Sequence, residues 1–280
     1  MRVVASLALA ACLAGCAQPR NEAPRASHGN RPTIVSLNPC SDAILAEVAD
    51  PGQILAISAY SHDPRASSMD PAVARRFAAT GGTVEEVVAL DPDLVVASSF
   101  LPPASAASFA RLGLHVARLP IATDVATSEA QVRVLARLAG HPERGEALVG
   151  RIETALAAAA PPPGTRPVSA VVWQAGGLVA GDDSLIAALL AHAGFVNAAP
   201  ARGLGQGQRL ALEDLLAGPP AVLLVAGDTA AREERMLAHP ALATLGAARR
   251  NLDPVLLYCG GPTIVRAAAR LAAIRRELPR

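Results

Sequence analysis

Short β-rich apolar runs fall into two sets divided by a long segment with no strand signal, and this split constrains the fold more than any other feature of the chain. Thr33–Leu37, Ile54–Ile57, Leu94–Ala97 and His115–Leu119 precede the segment Thr127–Ala160, and Val168–Trp173, Val222–Val225 and Val255–Tyr258 follow it. Helical apolar patterns lie between the runs, and that alternation marks an α/β fold with mostly parallel sheets. The dividing segment has helical apolar spacing (Val132, Leu135, Leu138) and one break at Gly140-His141-Pro142. From Glu143 to Ala160 it predicts one continuous helix of about 27 Å at 1.5 Å per residue. The prolines of PPPGTRP then stop it. Two α/β units joined by a rigid helix behave differently from two units on a loose linker.

The two units echo one another. VEEVVALDPDLVVA (84–97) and LEDLLAGPPAVLLV (212–225) share an acidic pair opening a short helix, a proline turn and an apolar strand. Glu85 matches Glu213, and Glu86 matches Asp214. Acids at helix starts and prolines at helix ends are common in any αβ unit, so the echo alone does not establish a repeat.

At the other end of the chain, Arg2 and the apolar stretch Val3–Gly15 have the length and charge of a secretion signal, too short to span a membrane. Leu13-Ala14-Gly15-Cys16 looks like a bacterial lipobox, in which Cys16 is acylated and becomes the new N-terminus. Ala17–Arg31, rich in Pro, Asn, Ser and Arg, suits a flexible tether. The expected organisation is therefore a leader over 1–15, a lipidated tether over 16–31, an α/β lobe over 32–124, a helical connection over 125–160 and a second α/β lobe over 161–280. Loss of the leader removes one arginine and brings the formal charge from +1 to zero. No basic field for nucleic acid exists.

TIVSLNPCSDAILAEVADPGQILAISAYSHDP followed by GGTVEEVVALDPDLVVASS resembles the opening lobe of the class III substrate-binding proteins of ABC importers, the group that includes vitamin B12-, haem- and ferric-siderophore-binding proteins. The resemblance runs from Arg31 to the C-terminus and is more specific in the first lobe than in the second. It implies two Rossmann-like lobes, a ligand cleft between them and little hinge motion. It further implies a periplasmic, monomeric, non-enzymatic carrier, held to the membrane through Cys16, that delivers its ligand to the permease and ATPase at the inner membrane. Glu85 and Glu213 fall where family members dock onto the permease.

Ligands of open α/β sheets sit beyond the carboxyl ends of the strands. Those ends carry Cys40, Tyr60, His62, Phe100, Trp173, Tyr258 and Cys259, so these are the candidate ligand-binding residues. Of only seven aromatics in the chain, four fall there, and aromatic faces suit a flat ligand such as a corrin or porphyrin. Tyr60 also matches a ligand-contacting tyrosine of vitamin B12-binding members. The expected ligand is thus a metal chelate, a corrinoid first and a ferric siderophore or haem second, with no resident cofactor.

Other chemistries find less support. Histidines are scattered, and neither HExxH nor CxxC occurs, which disfavours a free-metal site. GLGQGQ (203–208) follows no strand, unlike a dinucleotide fingerprint. No GxSxG elbow supports a hydrolase. For Cys40 and Cys259 the expectation is two separate thiols acting as small apolar fillers, with a disulfide or soft ligation of the ligand's metal as alternatives.

Overall fold

The first apolar run becomes β1 (Ile34–Ser36), buried throughout because neighbours cover it on both sides. Asn38 then caps α1 (Pro39–Val48): its side chain accepts from the Cys40 amide at 3.1 Å, and Pro39 supplies a preset φ at the first helical position. The computed structural model describes residues 31–228 and 232–278. The leader, Cys16 and the tether up to residue 30 lie outside the described residues.

β1 is the centre of a parallel sheet with β2 (Ile54–Ser58), β3 (Ala79–Thr80), β4 (Leu94–Ser98) and β5 (Val116–Leu119), in the order β3-β2-β1-β4-β5. Parallel neighbours need crossovers. Those between strands carry α1, α2 (Pro71–Ala74), α3 (Val84–Ala89) and α4 (Pro103–Arg111).

Two helices follow without a strand. The Asp124 side chain caps α5 (Val125–Leu138) through the Thr127 amide, and Gly140 turns the chain at φ +81°, a backbone geometry that favours glycine. Pro142 opens α6 (Pro142–Ala159), the long helix expected, and Ala160 leaves it in an extended conformation ahead of the proline run. The two helices pack closely because Gly145 lacks a side chain: a Cβ there would meet the Ala136 Cβ at 2.6 Å.

The second sheet, β7-β6-β8-β9, is also parallel throughout, with β6 (Val168–Gln174), β7 (Phe195–Asn197), β8 (Val222–Ala226) and β9 (Ala248–Leu252). Its helices are α7 (Leu185–His192), α8 (Leu212–Ala217) and α9 (Thr263–Arg276). The run Val255–Tyr258 is not a strand. Pro254–Leu256 forms a 3-10 turn whose start is capped by the Asp253 side chain on the Val255 amide, and the last strand is the earlier ARRNL stretch.

Alternation along the strands divides the core. Ile34, Val96, Val172 and Leu224 face one continuous apolar cluster that runs through α1, α5, α6 and α9 and so joins both lobes. Val35, Val95 and Phe109 form a separate outer layer on the first sheet, and Val171, Trp173 and Val225 form one on the second. The lobes thus share an inner layer of helices in place of a flexible strand linker.

Candidate functional site

The first lobe presents Tyr60 on the turn after β2 and Phe100 on the turn after β4. Both are mostly exposed, at 68% and 72%, which is costly for large apolar rings unless something covers them. With Leu37, Ser58, Thr80 and Leu101 they line a cavity of about 270 Å³ at the carboxyl edge of the sheet. Gly81 and Gly82 close one side of it. Glu86 fixes that wall, accepting from the Thr80 hydroxyl at 2.7 Å and from the Gly82 amide at 3.1 Å. These hydrogen bonds, that of Thr80 first, hold the Glu86 carboxyl below its usual range.

Tyr258 is the third exposed ring, at 43%, on the segment that enters α9. Partial burial, followed by the carboxylates of Glu234, Asp253 and Asp63, pushes its phenol pKa up. The ring is therefore a neutral donor at physiological pH. His62 is exposed at the end of the Tyr60 turn, and no group of three or more metal-ligating side chains exists among the described residues.

Two expectations need correction. Trp173 has no exposure: strand alternation turns it into the outer layer of the second sheet, where its indole N–H donates to Leu210 O at 3.1 Å. It cannot touch a ligand in the cleft. Cys40 and Cys259 are not separate thiols either; they form a disulfide with Cα atoms 5.1 Å apart. The 3-10 turn after β9 lays Cys259 against the first turn of α1. The bond leaves no thiolate to ligate a metal. It ties the segment after β9 of the second lobe to the start of α1, just after β1 of the first.

Sequence reasoning missed Asp42. It is fully buried on the first turn of α1, and its Oδ2 accepts from the Ser61 hydroxyl at 2.6 Å and the Ser58 amide at 3.0 Å. Oδ1 has no hydrogen-bond partner within ordinary reach. Loss of hydration pushes the carboxyl pKa up to about 7, and the Ser36, Ser61 and Ser58 groups only partly offset it. An acid in the first turn of a helix is common at any helix start and gives little warning in the sequence that it is buried and holds the Tyr60 turn.

Glu85 and Glu213 are exposed on the first turns of α3 and α8 and enter no hydrogen bond or ion pair among the described residues. A larger cavity of about 890 Å³ lies elsewhere, between the end of α6 and α9, lined by Pro161, Arg166, Arg275 and Leu278. It sits at the amino end of β6, away from the carboxyl ends of the strands.

Comparison with known proteins agrees with this layout. Among solved structures, the chain is similar to a periplasmic heme-binding protein from Roseiflexus sp. RS-1, at 23% identity and a TM-score of 0.68 over 87% of this chain and 97% of the other. It is also similar to the periplasmic heme-binding protein HutB of Vibrio cholerae, at 17% identity and a TM-score of 0.70 over 86% and 98%. The periplasmic vitamin B12-binding protein BtuF of Vibrio cholerae matches at 16% identity and a TM-score of 0.64 over 88% and 98%. At these identities the likeness is one of fold. Among curated proteins no significant match is found. The family model of the periplasmic binding proteins matches residues 34–251, most of both lobes. The chain belongs to the periplasmic binding protein family, whose members carry ligands to ABC permeases.

Proposed function

We propose that this protein captures a metal-chelate macrocycle in the cleft between its lobes, a corrinoid in the first instance, and delivers it to an ABC importer while anchored to the membrane through Cys16. The observation that carries the reading is three exposed rings: Tyr60 and Phe100 line one cavity at the carboxyl edge of the first sheet, and Tyr258 precedes the cysteine that the disulfide holds against α1. Flat aromatic faces cover a macrocycle's apolar area, and the two phenols supply polar contacts at its edge or metal. Haem is the second reading, favoured by the similar heme-binding structures. Glu85 and Glu213, free on opposite lobes, are the groups proposed to meet basic residues of the permease and fix its orientation. The protein is read as a carrier, and no catalytic role is assigned to any residue.

The test is absorbance and calorimetric titration of the soluble 17–280 chain with cyanocobalamin, haemin and a ferric siderophore. A dissociation constant of about 1 μM or below for a corrinoid or haem supports the reading. Binding of none of the three at about 100 μM overturns it.

A further inference from the structure

Tyr258 belongs to the second lobe by sequence, yet the segment around it is fastened to elements of the first lobe and of the helical connection. Cys259 is bonded to Cys40 on α1. The Ser68 hydroxyl donates to Val255 O at 2.5 Å, and the Gly261 amide donates to the Ser128 hydroxyl on α5 at 2.7 Å. Arg266 on α9 donates to Ser68 O. The fit is tight: a Cβ on Gly261, which sits at φ +58°, would meet Ile44 of α1 at 2.6 Å, and one on Gly260 would strike the Ser128 hydroxyl. Tyr60, for its part, is held to the same helix turn, because Asp42 takes both the Ser58 amide and the Ser61 hydroxyl on either side of it.

We infer that the first turn of α1 is a jig that fixes the gap between the two tyrosines, with Cys40 positioning Tyr258 through the disulfide and Asp42 positioning Tyr60 through Ser58 and Ser61, so that this turn selects metal chelates by thickness. The selection rests on the functional reading above, whereas the mechanical coupling stands without it. In a hinged clam, motion of the lobes changes the distance between their ligand contacts. Here the contact contributed by the second lobe is fastened to the first, so the gap stays constant when the rest of the second lobe moves. A fixed gap discriminates between a thin planar chelate and one carrying axial groups, because an over-wide ligand meets backbone held by a covalent bond and a buried carboxylate.

Two arms test the inference. The chain contains only two tyrosines, so 3-fluorotyrosine incorporation gives two ¹⁹F resonances, assigned with Y60F and Y258F, in ligand-free protein. D42A is expected to shift or broaden the Tyr60 line, and C40S/C259S the Tyr258 line. Both lines unchanged in both variants overturn the inference whether or not any chelate binds. If D42A does not fold, S61A removes one of its two donors and is read in the same way.

The second arm measures dissociation constants for cyanocobalamin and haemin. Relaxing the jig is expected to change their ratio by about fivefold or more in C40S/C259S and in D42A, and D42N, which keeps a carbonyl oxygen for both donors, is expected to restore it. A smaller change in the ratio, with both affinities falling together, marks plain destabilisation and overturns selection by thickness. Failure of the wild type to bind any chelate is a different outcome: it removes the functional reading and leaves the resonance arm to decide the coupling.

Discussion

Asp42 ties the stability of the protein to pH in the direction opposite to that of its surface carboxylates. Its pKa is raised from 3.8 to about 7 in the fold, so the native state holds a proton that the unfolded chain has lost. Its contribution is therefore most favourable below pH 3.8, declines through the window up to about 7 and is gone above it. The full shift corresponds to about 4 kcal/mol as an upper bound. Asp50, Asp63, Glu86, Asp124 and Glu143 have lowered values and act only at more acid pH. Thermal melts between about pH 5 and pH 8 thus isolate Asp42 when wild type is compared with D42N. The variant is expected to melt higher than wild type at the alkaline end and to lose that advantage at the acid end. Equal differences at both ends contradict a buried carboxyl that titrates near neutrality. Trp173 gives a second test at this scale. W173F deletes the donor to Leu210 O and leaves a void in the outer layer, with an expected loss of about 2–4 kcal/mol in denaturant titrations. Chelate affinity should stay unchanged, and a loss of affinity without loss of stability would return Trp173 to the cleft.

Among the elements, α5 and α6 approach each other so closely that the sign of a substitution is decided by packing. On an exposed helix Gly→Ala gains about 1 kcal/mol. At Gly145 the new Cβ would lie 2.6 Å from the Ala136 Cβ, and overpacking of that kind costs about 1–3 kcal/mol. G145A is expected to lower the melting temperature, and G145A combined with A136G to recover it; stabilisation by G145A alone contradicts the contact. Elements were legible in the sequence where periodicity and punctuation agreed, as in α6 between Pro142 and the proline run. β9 escaped because ARRNL is a charged edge strand with no apolar run, while the apolar Val255–Tyr258 stretch is held as a turn by Pro254 and Asp253. The same local rule misplaced Trp173: the strand was located correctly, but which face of it meets the cleft depends on what packs behind it. The disulfide was illegible for a related reason. Its partners are 219 residues apart, and only the tertiary path of the turn before α9 brings them together.

At the scale of the whole molecule, a continuous core through α1, α5, α6 and α9 makes the two lobes one mechanical unit. The docking proposal belongs here, because it requires two charges held at a fixed separation on different lobes. Reversing Glu85 and Glu213 together to arginine is expected to abolish chelate uptake in cells while keeping the affinity of the isolated protein within about threefold. Lost affinity in the purified double variant places these acids in binding instead. The central claim is that a chelate lies between the two lobes against Tyr60, Phe100 and Tyr258. A crystal structure of the protein saturated with cyanocobalamin or haemin tests it most directly. The account predicts the macrocycle in the cleft, in contact with all three rings and with the Cys40–Cys259 bond beneath it. A macrocycle seated in the cavity lined by Pro161, Arg166 and Arg275, or a cleft left empty at saturation, contradicts it.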